Sequence, residues 1–131
     1  MRRSLAIIGV VFMIVSISLG ALGAHFLVDK LSAERLAGFK TGVLYLMIHG
    51  LALLVFGLID NRVSNTRLWG CRLLWIGAAC FSGSIFLLTT QDLLALSGKV
   101  SWLGPVTPLG GILMISGWAI ILLSLMGKEK K

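Results

Sequence analysis

Four stretches of this chain contain no Asp, Glu, Lys or Arg: residues 4–28, 41–59, 73–91 and 100–127. Acidic side chains are scarce throughout, five against twelve Lys and Arg. Ion- or proton-coupled transport usually needs an ionisable group inside the membrane, and no carboxylate, amine or guanidinium falls within a run. A small multidrug exporter would carry a membrane-embedded carboxylate, so that class is disfavoured. Cysteine is limited to Cys71 and Cys80. On one helix they stand about 13 Å apart along the axis and on opposite faces, so they cannot pair within it. With no CxxC, a thiol oxidoreductase of the four-helix quinone-linked type is excluded. Phosphate-binding glycine loops, nucleophile elbows and zinc-protease motifs are also missing. No catalytic residue, cofactor or metal is therefore assigned.

What is present is apolar length. A helix needs roughly 20 residues to cross a hydrocarbon core, and each run supplies about that many. With 57% hydrophobic residues and a mean hydropathy of +0.98, a water-soluble domain of this size would expose far too much apolar surface. The sequence predicts an all-α, integral membrane four-helix bundle in a single domain, 1–131, with spans at about 4–28, 39–59, 70–91 and 104–127. Arg2 and Arg3 before an apolar run resemble a signal peptide. A secretory core is only about 7–15 residues, whereas this run extends over 25, so a retained first helix is expected.

The basic residues are distributed unevenly between the two ends. Arg2, Arg3, Arg62, Arg67, Arg72, Lys128, Lys130 and Lys131 fall on one side of the spans, and Lys30, Arg35, Lys40 and Lys99 on the other. The positive-inside rule places both termini and the middle loop in the cytoplasm. The formal charge of +7 then reflects topology and anionic headgroups, not nucleic acid. Arg62, Arg67 and Arg72 are the candidate contacts to anionic lipid.

Sixteen glycines fall largely at helix-seam spacing. The series are Gly9, Met13, Ser16, Gly20, Gly23 in span 1, Gly38, Gly42, Tyr45, His49, Ala52, Phe56 in span 2, and Gly104, Pro108, Gly111, Ile115, Trp118 in span 4. Small residues let helices approach closely in lipid. Gly20, Gly23, Gly42, Gly83 and Gly111 are the expected packing positions. Ser32 suits an N-cap for the second helix. Thr107-Pro108 suits the start of the fourth, with 100–106 left irregular at the membrane edge.

Few side chains could carry chemistry. Thr41, Tyr45 and His49 follow at intervals of four and form a polar ladder on one helix face. Span 3 adds Ser82, Ser84, Thr89 and Thr90, and His25 ends span 1. If the two histidines met in the outer half, they would suit a metal, quinone or small polar ligand. Otherwise they serve as interhelical hydrogen bonds.

Several segments taken together resemble a family of unknown function catalogued as number 423. They are Leu19-Gly20-Ala21-Leu22-Gly23-Ala24-His25, then Phe39-Lys40-Thr41-Gly42-Val43-Leu44-Tyr45-Leu46-Met47-Ile48-His49, then Phe81-Ser82-Gly83-Ser84-Ile85-Phe86, and finally Thr107-Pro108-Leu109-Gly110-Gly111 with Gly117-Trp118. The resemblance implies a small four-span protein of bacterial inner membranes, with no established reaction. It also singles out His25, Thr41, Tyr45, His49 and Ser82 as a shared polar arrangement. The expected role is non-enzymatic, supporting membrane or envelope integrity or a membrane complex, with a homo-oligomer or membrane-protein partner. The alternatives are a ligand site at the His/Tyr cluster and a small channel or transporter.

Overall fold

The computed structural model describes residues 2–59 and 64–126. Arg62, Lys128, Lys130 and Lys131 lie outside the described residues. Four α-helices follow in order: α1 (Arg3–His25), α2 (Ala33–Ile59), α3 (Asn65–Thr90) and α4 (Val106–Met126). A short 3-10 turn, Ser101–Leu103, precedes α4. All four helical segments are long and apolar enough to cross a membrane.

Helix starts follow local chemistry. The Ser32 hydroxyl accepts the Arg35 backbone N–H at 3.3 Å, and that of Ser64 accepts the Arg67 N–H at the same distance. Such caps satisfy donors that the first turn leaves free. The α2 and α3 helices therefore begin before their apolar runs and carry charged residues on their first turns. The α4 helix begins at Val106, just after Pro105 and earlier than the expected Thr107-Pro108 start. Thr107 is thus inside the helix, where its hydroxyl meets the Ser84 hydroxyl of α3 at 2.6 Å.

The helices form two antiparallel hairpins, α1 with α2 and α3 with α4, joined through a central α2–α3 contact. The first hairpin is tied at its end by the Arg2 N–H, which donates to the Gly57 carbonyl at 2.7 Å. Backbones touch along both hairpins. A Cβ on Gly9 would lie 2.5 Å from the Leu54 nitrogen and 2.6 Å from the Gly50 oxygen. A Cβ on Gly110 would lie 2.5 Å from the Phe81 nitrogen, and one on Gly77 would lie 2.8 Å from the Gly110 oxygen. Gly50 and Gly57, Gly70 and Gly77, and Gly110 and Gly117 are each seven apart. That spacing keeps a small stripe facing its partner in a left-handed pairing. Leu5, Leu53, Cys71, Leu74, Ala78, Met114 and Ile121 fill the core between the hairpins.

Several expected packing positions need correcting. The α4 seam is Gly110, Met114, Gly117 and Ile121, one residue from the predicted stripe and so rotated about 100° round the helix. On the predicted stripe, Ile115 is 72% exposed. Gly111 has only the Phe81 ring near it, 4.0 Å from where its Cβ would stand. Adjacent glycines at 110 and 111 left the choice of face open, and the backbone contact with α3 selects Gly110. A Cβ on Gly83 would meet nothing within 4 Å among the described residues, so this glycine is not a close-packing position there. A Cβ on Gly42 would strike the Phe86 ring at 2.8 Å, one on Gly23 would meet Phe39 at 3.2 Å, and one on Gly20 would be in ordinary contact with Val43 at 3.5 Å. Gly50 and Gly57, which face α1, were not in the predicted α2 series, because α2 uses two faces at once.

A glycine pair tests this arrangement. Gly110→Ala forces backbone apart and is expected to cost about 1–3 kcal/mol. Gly83→Ala is expected to be neutral or to stabilise by up to about 1 kcal/mol through helix propensity. Reversible unfolding in mixed micelles measures both.

Candidate functional site

Polar groups in the apolar spans must find partners inside the protein, since lipid offers none. His49 shows how this is done. It lies at the middle of the 41–59 run and is 4% exposed. The Trp118 indole N–H of α4 donates to its Nε2 at 3.2 Å, because indole nitrogen can only donate. Nε2 is therefore an acceptor, and in the neutral ring the proton sits on Nδ1. Nδ1–H donates to the Tyr45 carbonyl at 2.7 Å. Both ring nitrogens are thus engaged, one within α2 and one across to α4.

An aromatic cluster surrounds this bond. The Tyr45 ring stacks near His49 with centroids 6.2 Å apart and tilts against Phe81 of α3 at 4.8 Å. Trp118 lies 6.1 Å from His49 and 6.3 Å from Phe56. Tyr45, His49, Phe81, Met114, Ile115 and Trp118 line a groove of about 240 Å³. This is below the ~300–1,000 Å³ of usual small-molecule sites.

The other predicted residues lie elsewhere. His25 is exposed on the last turn of α1. Gly23 beside it faces Phe39, so His25 lies about eleven residues of helix, or roughly 17 Å, from the level of His49. The two imidazoles do not converge, which corrects the idea of a ligand held between them. Thr41 is exposed and returns its hydroxyl to the Ala37 carbonyl at 3.0 Å. Ser82 is fully buried and donates to the Gly42 carbonyl at 2.8 Å, pinning α3 to α2. The structure therefore gathers Tyr45 and His49, and leaves Ser82 in a separate interhelical bond. Among the described residues, no three His, Cys, Asp or Glu side chains gather as a metal would require.

Trp118 is the His49 partner that sequence reasoning placed only on the span 4 stripe and in a family segment. A tryptophan deep in a span, away from the interface where the residue usually sits, needs an acceptor for its N–H. That was the available signal.

Beyond the spans, Asp92 links the loop after α3 to the start of α2. It accepts from the Ser97 hydroxyl and pairs with Arg35 at the start of α2. The Ser97 hydrogen bond first, then Arg35, holds its carboxyl below the ordinary carboxylate range.

Four spanning helices, free of interior charge and joined by hydrogen bonds between hydroxyl, imidazole, indole and carbonyl groups, define an integral membrane four-helix bundle. The chain belongs to the family described as "Protein of unknown function (DUF423)", whose model matches residues 19–111. It is 37% identical over 118 residues to a UPF0382 membrane protein of Staphylococcus haemolyticus, covering 90% of this chain and 91% of that one. A UPF0382 membrane protein of Staphylococcus epidermidis is 38% identical with the same coverage. The UPF0382 membrane protein YwdK of Bacillus subtilis is 33% identical, covering 90% and 92%. No solved structure matches this chain.

Two outcomes follow from the geometry. Trp118→Phe keeps the ring and loses the bond, so it is expected to cost about 0.6 kcal/mol, the membrane average. His49→Ala also opens a cavity and is expected to cost more in the same unfolding assay. For Asp92, the depressed pKa means that its stabilisation is complete at neutral pH. It declines as pH falls through the ordinary carboxylate range and is lost below the folded-state pKa. Disulfide trapping of an Arg35→Cys/Asp92→Cys pair would remove the group itself, so carboxyl-resolved NMR titration is the direct check.

Proposed function

We propose that this protein is a non-enzymatic component of the bacterial inner (plasma) membrane, with both termini cytoplasmic. It supports envelope integrity or a membrane complex. The carrying observation is the closed hydrogen bonding of His49, whose two nitrogens are taken by Tyr45 and Trp118. An imidazole so engaged orients helices and offers no lone pair to a ligand. The seams of touching backbone likewise favour a rigid bundle over a moving one.

The orientation rests on charge. Arg2, Arg3, Arg67 and Arg72 belong to the same end of the bundle, the end that the positive-inside rule assigns to the cytoplasm. The Arg72 guanidinium lies 4.8 Å from the Trp69 ring centroid, an arrangement suited to an interfacial anchor. Arg67 and Arg72, with Arg62 of the adjoining loop, would meet anionic headgroups there. Broad apolar surface on α1 and α4 is available to lipid, a second copy or another membrane protein.

Complementation of a deletion strain under detergent stress tests the role. Wild type and Trp118→Phe are both expected to restore resistance, since the variant keeps the fold. A Trp118→Phe protein of undiminished stability that fails to restore it would favour a ligand site in the aromatic groove. In a background lacking Cys71 and Cys80, Ser64→Cys should resist an impermeant maleimide in intact cells while Lys99→Cys reacts. The reverse pattern would invert the orientation.

A further inference from the structure

At the end opposite the arginines, two recesses lie side by side. One is an apolar groove of about 440 Å³ among α1, α2, α3 and the segments that follow α1 and α3, walled by side chains including Leu19, Leu22, Phe39, Phe86 and Leu87. The other is a polar cleft of about 310 Å³ lined by Lys30, Leu31, Ser32, Arg35, Asp92 and Leu93. Lys30 and Leu93 line both, so the two form one recess that is apolar toward the membrane interior and polar at its mouth. The groove is within the size range of ligand sites, ~300–1,000 Å³. Its one hydroxyl, on Thr90, is spent on the Phe86 carbonyl at 2.6 Å, which leaves the interior without a polar demand.

The rim has a definite charge preference. The Lys30 ammonium stands 4.4 Å from the Phe26 ring centroid, at the groove wall. Among the described residues it has no carboxylate within ion-pair distance, whereas Arg35 is paired with Asp92. Asp92 also accepts from Ser97, so it is not available to a positively charged headgroup. Among the residues that line the recess, the uncommitted charge is therefore the Lys30 cation.

We propose that this recess holds one phospholipid of net negative charge, with an acyl chain in the groove and its phosphate at Lys30. The charge selects an anionic headgroup over a zwitterionic one, since Asp92, the one carboxylate among the lining residues, is already paired. The groove supplies contacts that a chain in bulk lipid would otherwise make with its neighbours. The site is separate from the arginine end and does not depend on which side of the membrane its own end faces.

Native mass spectrometry of the delipidated full chain, titrated with phosphatidylglycerol or phosphatidylcholine, tests this. One phosphatidylglycerol per chain is expected to survive at energies that strip phosphatidylcholine. Lys30→Gln is expected to weaken retention at least tenfold, and Leu22→Trp, which fills the groove, to abolish it. Arg67→Gln, at the far end, should leave it unchanged. Equal retention by Lys30→Gln and wild type overturns the proposal. So does equal retention of the two lipids, or a dimer that binds none. If Leu22→Trp fails to fold by circular dichroism, Lys30→Gln decides alone, because its side chain lies at the surface.

Discussion

Apolar helices gain nothing from leaving lipid for one another, so a membrane bundle must be held by contact at close range. Here that contact is backbone on backbone. At Gly9 against Gly50 and Leu54, and at Gly77 against Gly110, there is no room for even one methyl group. Dispersion falls off steeply with separation, and each of these approaches brings the whole length of two helices into range. The hairpins are the consequence, and the rest of the structure is arranged on them.

Two rigid hairpins still need a fixed relation to each other. Side chains supply it, at three levels. Leu53, Leu74 and Ile121 interlock on the arginine side of the middle. His49 and Trp118 bond across the middle. Ser82 reaches the Gly42 carbonyl above them. Each polar link is one that lipid could not replace, so a slip between hairpins would leave a donor unsatisfied. These bonds are better suited to setting register than to supplying much net stability, given the small measured value of hydrogen bonds in membranes.

Beyond Ser82 the helices stay in contact, a Cβ on Gly38 standing 3.3 Å from the Thr89 side chain, and side chains of α1, α2 and α3 line an apolar groove. The amphipathic recess arises at this point. The Arg35–Asp92–Ser97 clasp holds the α2 start to the loop after α3, so the mouth has a defined shape. The two ends of the molecule thus differ in character. One is strongly basic, and the other is clasped by a salt bridge and holds a recess with the Lys30 ammonium at its rim.

Membrane placement, the number of helices and their approximate limits were legible in the chain, because uncharged length is a one-dimensional property that a bilayer reads directly. The cap at Ser32 and the membership in a four-span family were local enough to be legible as well, whereas the Ser64 cap came only with the structure. The face each helix presents was not. Gly110 and Gly111 are equivalent in sequence, and only the approach of α3 decides between them. His25 and His49 are alike in chemistry, yet helix rise keeps them apart, while Trp118, sixty-nine residues on from His49, comes to its side. Composition settled the solvent this protein lives in. Which residues touch was decided by tertiary structure, because pairing across helices depends on rotation and depth that no single span contains.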